Sequence, residues 1–67
     1  MEDYNKAVQF LYAELGPPDR ASNKSVVWLQ EAVGLNSSGE LWISGYGIMV
    51  DTYEEFLNAW ENPPLWA

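Results

Sequence analysis

A chain of 67 residues has room for one domain and one small core, burying only about 60% of its unfolded surface. The absence of cysteine and histidine excludes a disulfide framework, a thiolate zinc site and any Ser–His or Cys–His nucleophile pair. Ten acids against three bases give a net charge of −7, which opposes attraction to nucleic acid or an anionic membrane and favours a basic protein surface.

Stability has to come from packing. Four Trp, four Tyr and two Phe supply it, since each buried aromatic side chain removes roughly 150–250 Å² from water. The expected architecture is a single α+β domain over residues 1–67, in the order α-α-β-β-α, with a two-stranded antiparallel hairpin packed on three helices.

The first helix is expected over residues 3–15. Tyr4, Ala7, Val8, Leu11 and Leu15 fall on one face at helical spacing, with Tyr12 at its edge. Gly16 suits a left-handed C-cap, and Pro17-Pro18 forbid continuation. Phe10 points away from the stripe. The N-terminal sequence lacks the basic and apolar regions of a signal peptide, and no apolar run approaches the roughly 20 residues of a membrane span. A cytoplasmic location is expected, in the host cytoplasm if the chain is phage-encoded.

After the polar stretch DRASNKS, a second helix is expected over residues 23–33, with Val26, Leu29 and Val33 as its core stripe and Gly34 as its end. Trp28 falls almost opposite Val26 on that helical wheel, so one helix cannot bury both. Asn36-Ser37-Ser38-Gly39 has loop chemistry.

A hairpin is expected over residues 40–50. A type II′ turn at Gly45-Tyr46 would pair Trp42 with Met49 and Leu41 with Val50. Strand alternation then places Leu41, Ile43, Ile48 and Val50 on a core face, and Trp42 and Met49 on the other. A third helix is expected over residues 52–61, capped by Asp51 or Thr52, with Tyr53, Phe56, Leu57 and Trp60 as its stripe. Pro63-Pro64 end it within a C-terminal tail over residues 62–67.

Candidate chemistry is sparse. Asp51, Glu54 and Glu55 are the densest acid cluster, but all three fall in the first turn of a helix, where capping and the helix dipole account for them. Gly45-Tyr46-Gly47 is followed by a strand, so it cannot offer helix N-terminal amides to a phosphate. A winged helix-turn-helix would need arginines and lysines on its recognition helix, and the second helix offers Lys24 alone. No catalytic residue, cofactor site or metal site is expected, and the chain is read as a non-enzyme without direct nucleic-acid or membrane contact.

Surplus aromatics and acids point to a binding surface. Phe10, Trp28, the Trp42–Met49 pair and Trp66 remain after one core face is assigned to each element, and such side chains are enriched at interfaces. The residues expected to meet a partner are Trp28, Glu31, Glu40, Trp42, Met49, Asp51, Glu54 and Glu55. The expected function is inhibition of a basic, nucleic-acid-binding protein, with carboxylates imitating a phosphate backbone and a tryptophan as anchor. By general analogy, small phage-borne anti-defence proteins and immunity-type proteins fit that description. The alternative is an assembly module that forms a homodimer, or docks on a larger complex, through the Trp42–Met49 face.

Overall fold

Alternation at Ser25-Val26-Val27-Trp28 decides the architecture. In an extended chain Val26 and Trp28 share a face, and both are buried. The structure, a computed structural model, describes residues 1–62. It contains two helices, α1 (Tyr4–Leu15) and α2 (Tyr53–Glu61). Between them run β1 (Arg20–Ala21), β2 (Ser25–Trp28), β3 (Val33–Asn36), β4 (Glu40–Ile43) and β5 (Tyr46–Met49). The strands form one antiparallel sheet in the order β1-β2-β3-β4-β5.

This corrects the expected α-α-β-β-α order: residues 23–33 are no helix but β2, its turn and the start of β3. The β-branched Val26 and Val27 precede Trp28, and the two-residue period buries Val26 and Trp28 together where a helix would have parted them. Gly34, expected to end a helix, lies in the middle of β3, and Leu29, expected in the core, is 65% exposed in the β2–β3 turn.

The helical ends of the chain are close to expectation. Asp3 precedes α1 with a left-handed backbone and no side-chain cap, while Gly16 N–H closes the helix by donating to Tyr12 O at 2.9 Å. For α2 the Thr52 cap is the one formed, its Oγ1 accepting from Glu55 N–H at 3.1 Å. Residues 63–67, with Trp66, lie outside the described residues.

Both helices cover the same face of the sheet. Cross-strand rows Val26–Leu35–Leu41–Ile48 and Trp28–Val33–Ile43–Tyr46 form that inner face. Leu11, Ala7, Phe56 and Ala59 complete the core from the helices. The helices run side by side in the same direction. Phe10 meets Phe56 edge-on at 5.6 Å and Trp60 at 6.2 Å, so this residue, left over from the helical stripe, builds the helix–helix contact. Lys6 sits 4.8 Å from the centre of the Tyr53 ring. Tyr4 packs against the core with its hydroxyl shielded and, among the described residues, without a hydrogen-bond partner; burial, then the nearby Tyr12, pushes its pKa above the ordinary phenol value.

Trp28 is the centre of this core. Its ring is 2% exposed, stands edge-on to Tyr12 at 5.8 Å, and donates from Nε1 to Gly16 O at 2.8 Å. That bond ties the exit of α1 to the sheet. Trp28, expected to anchor a partner, is buried within the domain.

Candidate functional site

Among the described residues, the other face of the sheet carries no helix. Odd-numbered β2 positions and even-numbered β3 and β4 positions turn outward, giving the row Arg20–Val27–Gly34–Trp42–Gly47. Met49, 61% exposed, stands opposite Glu40 on the same face. Neither Trp42, Val27 nor Met49 belongs to the core or packs against it.

Register explains why Trp42 lies where it does. The β4–β5 turn is Ser44-Gly45, both with positive φ (51° and 87°), the signature of a type I′ turn. The expected Gly45-Tyr46 turn is thus displaced by one residue, and the pairing by two. Leu41 now meets Ile48, and Trp42 meets Gly47 rather than Met49. A two-residue slip keeps every side chain on its expected face. Its effect is to put Gly47 beside Trp42, while the β3–β4 register puts Gly34 on the other side. A Cβ on Gly34 would come within 3.0 Å of Trp42 Cε3, and one on Gly47 within 3.7 Å of Nε1. The indole therefore spans two bare stretches of backbone. Its N–H has no protein partner among the described residues.

Beside this ring is a shallow depression of about 420 Å³, lined by Val27, Leu29, Ala32, Gly34, Trp42 and Gly45 among others, almost wholly apolar. Two turns meet at its rim. Ala32 and Ser44 both hold left-handed backbones (φ 55° and 51°), and Ser44 N–H donates to Ala32 O at 2.8 Å. A left-handed alanine costs roughly 1 kcal/mol, which the stitched turns overcome.

The expected partner-contact residues fall in four places. Glu40, Trp42 and Met49 share the open face. Asp51, Glu54 and Glu55 lie at the end of the sheet where both helices begin. There Glu2 N–H donates to Asp51 O at 2.8 Å, and Glu2, Asp3 and Glu54 line one polar cleft with Lys6. Glu31 is at the opposite end, exposed in the β2–β3 turn, and Trp28 is in the core. Val27 and Leu29 belong to the open face although helical spacing had hidden them, and the alternation around Trp28 was the signal that exposes them. The glycine floor of Trp42 carries no local signal, because it depends on two strand registers.

No group of metal-ligating side chains occurs among the described residues, and none of the helices there is long and apolar enough to cross a membrane. Compared with protein-family models, curated proteins and solved structures, the chain matches none.

Proposed function

We propose that this chain is a protein-binding inhibitor that covers a basic, nucleic-acid-binding surface of another protein. The observation that carries this reading is the open sheet face, where Trp42 lies across Gly34 and Gly47 beside an apolar depression. Exposed apolar patches with a polar rim mark interaction sites, and aromatic rings near the centre of such a patch are the usual anchors. Glu40, two residues before Trp42 in β4, shares its face, and Asp51, Glu54 and Glu55 add negative charge at the neighbouring end. Carboxylates so placed would accelerate encounter with a basic groove and occupy it, an attraction that weakens with salt.

The test uses three baits in host lysate at low salt: the wild-type chain, Trp42→Ala, and Glu54→Lys with Glu55→Lys. The expected partner is held by the wild type, released by raised salt, displaced by duplex DNA, and lost from both variants. Identical capture by all three baits refutes the reading. The same open face also suits an assembly module. Sedimentation of the purified chain separates the two: a dimer that Trp42→Ala dissociates favours assembly, and a strict monomer favours inhibition.

A further inference from the structure

The two edges of the sheet differ in a way that names the form of the partner. At one edge β1 is two residues long, follows Pro17-Pro18 and carries Arg20. A short strand with proline and charge is the usual protection against pairing with another chain. At the other edge β5, Tyr46–Met49, has no charge and no proline, and pairs with β4 without a bulge.

Its main chain is available at known positions. A type I′ turn makes Ile43 and Tyr46 the bonded pair that closes the hairpin, so Tyr46, Ile48 and Val50 direct their main chain toward β4. Val50 N–H accordingly donates to Gly39 O at 2.8 Å. Gly47 and Met49, between them, turn N–H and C=O outward, and among the described residues nothing pairs with them. Gly47 also leaves the Trp42 indole edge uncovered on that side.

Charge selects the occupant. Of the three bases, Arg20 lies on β1 at the far edge and Lys24 just before β2, and Lys6 alone shares the cleft at the helix starts with Glu2, Asp3 and Glu54, while Glu40 stands opposite Met49 and Asp51 follows β5 two residues on, so acids outnumber bases at this end. We propose that the β5 edge takes an extended basic segment of a partner protein as a sixth strand, its main chain bonded to Gly47 and Met49. One alternate set of its side chains then meets Trp42 across Gly47, and its lysines or arginines meet the acids. This rests on the protein-binding reading above and adds the partner's conformation to it. Main-chain pairing supplies affinity in such complexes, and alternate side chains supply specificity.

The probe is a random library of displayed seven-residue peptides, selected on the whole chain. Enrichment of sequences alternating apolar residues with Lys or Arg is expected. N-methylation of the best peptide, one amide at a time, should weaken binding at least tenfold at alternate positions only. Bound peptide should slow amide hydrogen exchange at Gly47 and Met49, whereas Arg20→Glu at the far edge should leave affinity within twofold. Absence of enrichment, tolerance of N-methylation at every position, or protection of β5 by a second copy of the chain overturns the strand. Tolerance combined with loss of binding in Trp42→Ala overturns the strand and spares the open-face reading. Alternate N-methyl sensitivity that survives Trp42→Ala but is lost on reversal of Glu54 and Glu55 supports the strand and overturns the open-face reading; survival of the charge reversal as well overturns the basic occupant.

Discussion

Two tryptophans on adjacent pairs of the same sheet have opposite fates. Trp28 faces the helices, is sealed, and has its N–H bonded to Gly16 O. Trp42 faces outward, lies on glycines, and has no hydrogen-bond partner among the described residues. Both are large aromatic side chains on short strands, so intrinsic preference does not separate them. What differs is the neighbour set. Trp28 is surrounded by Tyr12 and the buried aliphatics of three strands, while Trp42 is flanked by residues without side chains. One face of the sheet thus builds the domain, and the other, among the described residues, has no helix over it.

The largest expected effect tests that division directly. Trp28→Ala should cost about 3–5 kcal/mol, comparable to the whole stability of a domain this size, and urea titration should find the variant largely unfolded. Trp42→Ala should cost about 1 kcal/mol or less and leave the fold intact. Equal losses at the two sites would mean that the faces are not divided as described.

Next comes the turn that joins β3 to β4. Gly39 has φ 99°, and a Cβ there would collide with the carbonyl oxygen of Val50. Gly39→Ala should destabilise by about 2 kcal/mol or more, since backbone and not a flexible side chain has to move. Gly45→Ala, at φ 87° but with open space around the site, should cost only about 1 kcal/mol in the same denaturation experiment.

A smaller change sharpens the description of the open face. Gly34→Ala places a methyl 3.0 Å from Trp42 Cε3 and should lift the indole from its floor. Stability should fall by about 1 kcal/mol, with a shift in the Trp42 fluorescence component, identified by comparison with Trp42→Ala. An unchanged spectrum would show that the ring does not rest on Gly34.

The smallest effect concerns Tyr4. Its phenol is raised above the ordinary value by burial and by Tyr12, so the neutral form is favoured in the folded state. The sign follows: its contribution is complete below the unfolded phenol pKa of about 10 and is lost as pH rises through the higher folded value. Tyr4→Phe should therefore flatten the alkaline limb of the stability profile. At neutral pH it should be neutral or stabilise by up to about 1 kcal/mol, because it removes a shielded hydroxyl without a hydrogen-bond partner among the described residues.

Local signals in the sequence determined the two helices and the faces of the last hairpin, but not its turn or its register. The stripe from Tyr4 to Leu15 with its Gly-Pro-Pro stop, the Thr52 cap, and the alternation from Leu41 to Val50 each involve residues within one or two turns of one another. The segment from Asn23 to Val33 was misread for the same reason. Val26, Leu29 and Val33 fit helical spacing over a short window, and only the conflict at Trp28 spoke for a strand. Pairing with Gly34 and Leu35 across a four-residue turn settles that conflict, because burying Val26 and Trp28 together outweighs a weak local preference. Two features belong wholly to the tertiary structure. The floor beneath Trp42 needs two registers at once, and the outward main chain of Gly47 and Met49 is unpaired among the described residues because β5 is the last strand of the sheet. A register is a relation between strands brought together by the fold, set by turn geometry and by which face the helices cover, and no single stretch of residues encodes it.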